Sequence, residues 1–115
     1  MKSFLVILNE GPYGSERPYN GLRLAMALQK RGAPVKLYLT GDAVACARLG
    51  QQTPNGFYNV GRMVAAVARQ GAAAACTSCS EARGLGPDEM VEGVERGTMD
   101  ILADWTLEAD QVLVF

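Results

Sequence analysis

The chain contains no histidine. That absence removes Ser-His and Cys-His dyads, imidazole metal ligands and imidazole general bases together, so any nucleophile here has to be activated by other groups. Cysteine is scarce, at 3 residues, and odd in number, which argues against a disulfide framework and fits a reducing compartment. Neither sign of charge dominates. The 11 basic and 12 acidic residues form no block of one sign, so nucleic acid and anionic lipid are not expected as partners. Long apolar runs are missing too. The opening MKSFLVIL carries only the apolar residues 4–8, too few for the core of a signal peptide or for a membrane span, and a cytoplasmic protein without a membrane partner is expected.

Apolar residues nevertheless make up 49% of the 115, enough for one compact domain over residues 1–115. FLVIL (4–8) and PVKLYLT (34–40) are β-branched and aromatic runs that read as strands. Between them a helix is expected from about Pro18 to Gly32, with Leu22, Leu24, Ala25 and Leu28 available to one broad face. Asp42 is placed to cap a short helix through AVACARL that ends at Gly50, and GQQTPNGFYN (50–59) reads as an exposed loop. Asn59 then caps a further helix whose Val60, Met63, Val64 and Val67 form an i, i+3, i+4, i+7 stripe ended by Gly71.

AAAAC (72–76) reads as a third strand from its position in the rhythm, although alanine is a poor strand former. A helical turn from Pro87, a short strand around Val94, a helix capped by Thr98 that buries Ile101, Leu102 and Trp105, and a last strand QVLVF complete the chain. Strands alternating with helices predict an α/β fold with a mostly parallel sheet covered on both faces, in which ligands gather beyond the carboxyl ends of the strands. The loops at 9–17, 41–43 and 76–86 begin there.

Chemistry is concentrated in AACTSCSEARG (74–84). Cys76 follows a strand and precedes a possible helical turn, where unpaired backbone N–H groups and the nearby Arg83 would favour the thiolate. Free cysteine is also a common small core hydrophobe, and Cys46, inside an amphipathic helix, is read that way. Cys79 leaves two roles open. As the partner in a CxxC pair it would resolve a mixed disulfide, but if Cys76 carried a persulfide a thiol within reach would expel sulfide and close a disulfide. Either the pair is redox-active, or Cys79 is held out of reach while Cys76 stores sulfur.

A zinc site needs four ligands and this chain supplies half, so no metal is expected without ligands from another subunit. NEGPYGSER (9–17) lacks the Walker ending and the GxGxxG spacing, which excludes a phosphate cradle of those types. Its Tyr13 and Gly14 are candidates instead for one wall of the cysteine pocket. Met63, Met90, Met99 and Trp105 read as core or interface, and no carboxylate pair is recognisable among Glu10, Glu16 and Glu81.

Taken in order, GPYGSE, NGLRLAMAL, GDAV, GQQ, GFYN, CTSCSEARG, GVERGTMDILADWTL and ADQVLVF resemble the DsrE/DsrF-like superfamily of sulfur-relay proteins, in its YchN-like branch, nearly from end to end. The resemblance implies a three-layer α/β/α fold with a five-stranded parallel sheet, assembled as a homohexamer. In sulfur-relay relatives the functional cysteine ends the third strand, eight residues before the glycine of an Arg-Gly pair, which here selects Cys76 through Arg83 and Gly84. It implies sulfur donor and acceptor proteins as partners, with no metal, nucleotide or other cofactor. Cys79 lies outside the wider superfamily pattern but within that of the branch.

Overall fold

A computed structural model of the protein describes residues 1–54 and 58–115. Five strands, β1 (Phe4–Leu8), β2 (Val35–Leu39), β3 (Ala72–Cys76), β4 (Val94–Gly97) and β5 (Gln111–Val114), form one sheet in the order β4-β3-β2-β1-β5. Every pairing is parallel. The connecting helices are α1 (Arg17–Lys30), α2 (Val60–Gln70), α3 (Thr77–Ala82) and α4 (Met99–Glu108), with 3-10 turns at Gly41–Ala47 and Pro87–Glu89. Among the described residues no helix is long and apolar enough to cross a membrane.

Caps account for where two helices begin. The Asn59 side chain accepts the Arg62 N–H and the Thr98 side chain accepts the Ile101 N–H, each satisfying a donor that the first turn cannot use. At the start of α1 Pro18 stands in the first turn, where its missing N–H costs nothing. Asp42 differs from expectation. Thr40 occupies the cap position of the 41–47 turn, while the Asp42 carboxylate is taken by Arg83 across the sheet end at 2.9 Å.

The two sheet faces are covered unequally. On one, Val6, Leu8, Val35, Leu37, Leu39, Ala73 and Ala75 meet Leu22 and Ala25 of α1 and Val60, Val64 and Val67 of α2 in a continuous buried core. Small alanines on β3 let α2 sit close, which explains why a poor strand former is tolerated there. Leu24 does not join this core and is 38% exposed. It lies two residues from Leu22, about 200° round the helix, on the side turned from the sheet.

On the other face a smaller cluster forms from Leu5, Tyr38, Ala74 and Trp105, with Ile101 and Leu102 partly buried against it. Trp105 meets the Tyr38 ring edge-on at 6.2 Å between centroids. Here α4 leaves edge strand β5 open, so Val112 and Val114, aligned with Leu5 and Ile7, remain exposed. The Met99 side chain is also exposed, whereas Met63 and Met90 pack partly against the larger core.

Candidate active site

Cys76 is the last residue of β3 and the N-cap of α3. Its half-buried sulfur touches the apolar clusters of both sheet faces, as a side chain at a strand end can. The Cys79 backbone N–H donates to Cys76 Sγ at 3.4 Å, and Ser78 Oγ lies 3.4 Å from the same sulfur. Ser80 Oγ donates to the Cys76 carbonyl at 2.8 Å, pinning the turn that creates this geometry. Burial by itself would push the Cys76 thiol up. The Cys79 thiol, the Ser78 hydroxyl and the backbone N–H groups of Cys79 and Ser78 act the other way and win, leaving the thiol below its ordinary value.

Cys79 is held from a different side. The Gly41 N–H donates to its sulfur at 3.2 Å, and Thr40 Oγ1 stands 3.8 Å away, so the end of β2 reaches over the CxxC turn. All three cysteines are free thiols. Cys46 is sealed, its S–H directed at the Glu10 carbonyl at 3.7 Å, and burial pushes its thiol up to about 12.

Arg83 is close to the pair but not on the Cys76 sulfur. Its Nε and Nη2 bind Asp42 Oδ1 at 3.0 and 2.9 Å, and its Nη1 donates to the Cys79 carbonyl at 3.0 Å. The donors that lower the Cys76 thiol are therefore local amides, a hydroxyl and a second thiol rather than the guanidinium expected from sequence. Gly84 follows with φ +67, a left-handed turn that suits glycine and ends α3.

Tyr13 and Gly14 part company with the cysteines in their contacts. Tyr13 adopts a left-handed backbone, φ 71, uncommon for a bulky residue, and its hydroxyl donates to Gln51 Oε1 while accepting the Val60 N–H at 3.2 Å. It thus braces the start of α2. Gly14 lines an open polar cleft of about 540 Å³ that also includes Glu10, Ser15, Asp42 and Arg83. A second cleft, about 430 Å³, lies between α3, the 84–90 segment and β4; Ala75 and Thr77 line it, but Cys76 between them does not.

Three residues near the sulfurs escaped the sequence analysis: Tyr38, Thr40 and Gly41, all at the end of β2. The available signal was that β2 and β3 are consecutive strands, which in a βαβ unit usually pair and bring their carboxyl ends together. Gln51 was missed as well. Its amide donates to the Cys46 and Arg48 carbonyls at 3.0 and 2.8 Å and its oxygen accepts the Gly61 N–H at 3.2 Å, so the expected loop is anchored at this point. Asn55, Gly56 and Phe57, within the same expected loop, lie outside the described residues. Among the described residues no three His, Cys, Asp or Glu side chains converge into a group that could hold a metal ion.

A family model described as DsrE/DsrF-like matches residues 2–115. The chain belongs to the DsrE/DsrF-like family. Within it, the chain is 39% identical to protein YchN of Escherichia coli (strain K12), with all of both chains covered. It is 40% identical over 111 residues to uncharacterized protein MK0008 of Methanopyrus kandleri, covering 96% of this chain and 91% of that one. The crystal structure of the E. coli ychN protein superposes with a TM-score of 0.88 at 35% identity, again over the whole of both chains. The five-stranded parallel sheet with helices on both sides is thus shared with that protein. The family is one associated with sulfur relay.

Proposed function

We propose that this DsrE/DsrF-like protein is a cytoplasmic persulfide carrier that works through Cys76. The observation that carries the proposal is a half-buried sulfur at a strand end, accepting local hydrogen bonds that lower its proton affinity, in a chain without histidine. The thiolate attacks the outer sulfur of a donor persulfide, R–S–SH. The donor S–S bond breaks with R–S⁻ as the leaving group, the proton passes from the transferred outer sulfur to R–S⁻ to give R–SH, and Cys76 keeps that sulfur as Cys76–S–S⁻. An acceptor thiolate then attacks that outer sulfur, and Cys76 leaves as thiolate. Sulfur changes partner with no external oxidant or reductant. The test is to incubate the protein with persulfide-charged donor and record intact mass. One added sulfur is expected on the parent and none at this site on Cys76→Ser; an undiminished adduct on the variant defeats the proposal.

Thiol-disulfide exchange is a second function supported by one observation, the CxxC turn in which both cysteines are free thiols and the Cys79 N–H donates to the Cys76 sulfur at 3.4 Å. A measurable reduction potential for an intramolecular disulfide, lost in Cys79→Ser, would favour it over sulfur storage. Self-association accompanies either function. A parallel sheet ordinarily has both faces covered, and the open Val112 and Val114 on β5, together with the exposed Leu107 on α4, support burial against further copies, with a homohexamer as the proposed assembly. Light scattering on the eluting protein checks this, and a monomer would count against it.

A further inference from the structure

Tyr38 is buried beneath the end of the sheet, 1% exposed, although it carries a hydroxyl. Buried tyrosine hydroxyls take a partner, and this one donates to the Thr98 carbonyl at 3.2 Å. The ring is held from two sides: Trp105 packs against it edge-on, and Gly97 lies beneath its far end. A Cβ built on Gly97 would stand 2.9 Å from Tyr38 Cε2 and 3.0 Å from its Oη. Gly97 is also the β4 residue aligned with Cys76. The phenol therefore reaches across β3 to the same level of the sheet as the sulfur, and Cys76 packs against the cluster that Tyr38 belongs to.

We infer that Tyr38 is a positioning residue for Cys76, its buried hydroxyl turning from the Thr98 carbonyl to the sulfur when that sulfur becomes anionic. The inference rests on Cys76 being the working thiol. A phenol has one proton to donate and can serve one acceptor at a time. In the resting thiol the carbonyl is the better acceptor; once a thiolate or a terminal persulfide sulfur is present, the charge-assisted bond is stronger. Gly97 keeps that swing open, since any side chain there would occupy the space of the hydroxyl. In keeping with this geometry, burial and then the two neighbouring cysteines push the Tyr38 phenol up to about 12, so it remains a donor while Cys76 is ionised.

Other groups around the sulfur do not duplicate the role. From α3 come the Cys79 thiol and the Ser78 hydroxyl. Arg83 and Asp42 are paired with each other, and Arg83 touches only the Cys79 carbonyl of the CxxC turn. Glu95 and Arg96 of β4 line the separate cleft that excludes Cys76, Gly97 has no side chain, Asp100 of α4 is exposed, and Trp105 contributes no charge.

The experiment is the pH profile of Cys76 alkylation by iodoacetamide, in a Cys79→Ser background so that one reactive thiol is read. Tyr38→Phe keeps the ring and its packing and removes only the O–H. Its midpoint should rise by about one pH unit, roughly a tenfold loss of thiolate below the midpoint. Trp105→Phe, which disturbs the same cluster without touching the hydroxyl, should leave the midpoint in place. Equal midpoints for Tyr38→Phe and its parent, with both folded by circular dichroism, overturn the inference. Should Tyr38→Phe fail to fold, the chain labelled with 3-fluorotyrosine supplies the second reading. One fluorine resonance should follow Cys76 ionisation and lose that transition in Cys76→Ser, and no such resonance overturns the inference. Neither measurement involves transferable sulfur. An intact Tyr38 effect without a sulfur adduct therefore defeats the carrier function alone.

Discussion

Gly97 and Tyr38 are packed so closely that the ring and hydroxyl of Tyr38 fill the space a side chain on Gly97 would need, 2.9 and 3.0 Å from where its Cβ would stand. The Ala75 carbonyl stands equally near, 3.0 Å from where a Cβ on Gly97 would be. Gly97→Ala should therefore destabilise the protein by about 1–3 kcal/mol, the usual cost of overpacking a rigid site. Urea unfolding measures this, and an unchanged midpoint would mean that β4 can move away from the ring.

The hydrogen bonds around Cys76 make a prediction about its ionisation that the guanidinium expectation does not. Removing the neighbouring donors in Cys79→Ala and Ser78→Ala should each raise the pH at which Cys76 reacts with an alkylating agent, because both groups favour the thiolate. Main-chain donation from the Cys79 N–H survives both changes, so each shift should be partial. A midpoint that either variant lowers would contradict this account.

Arg83→Lys provides the counterpart. The pair with Asp42 is largely exposed, so its loss should cost no more than about 1 kcal/mol of stability. Because the guanidinium touches Asp42 and the Cys79 carbonyl, the Cys76 midpoint should stay near that of the parent. A large upward shift would return Arg83 to the role that its sequence position suggests.

Cys46 has the opposite sign. Its thiol is raised from 9.0 to about 12 by burial, so the folded state retains a proton that the unfolded chain releases. The stabilisation is fully present below pH 9 and is lost as pH rises through about 12. Between those values stability should fall with a slope approaching about 1.4 kcal/mol per pH unit for this one proton. Cys46→Ala should flatten that part of the decline, leaving the contribution of Tyr38, whose phenol is raised from 10.0 to about 12. Denaturation midpoints across the alkaline range measure both slopes, and identical slopes would show that Cys46 ionises without unfolding the chain.

Much of the fold is readable along the chain because its cues are contiguous. Asn59 and Thr98 each cap a turn three residues ahead, the α2 stripe repeats with helical period, and AAAAC stands where the alternation requires a strand. Asp42 was misread for the same local reason: it stands beside a cap position, and its actual partner is 41 residues away. Leu24 shows the limit of a broad apolar face, since only the direction of the sheet decides which part of that face is buried.

The sequence by itself determined the order of strands and helices and the position of Cys76 at a strand end, because propensity, capping and turn chemistry act between near neighbours. Tertiary structure alone decided what surrounds that sulfur. The strand order carries β2 beside β3, laying Gly41 on Cys79 across 38 residues and bringing the Tyr38 hydroxyl to a carbonyl 60 residues further on. Such contacts follow from pairing and packing in space, and they leave no period, cap or spacing in the chain from which to read them.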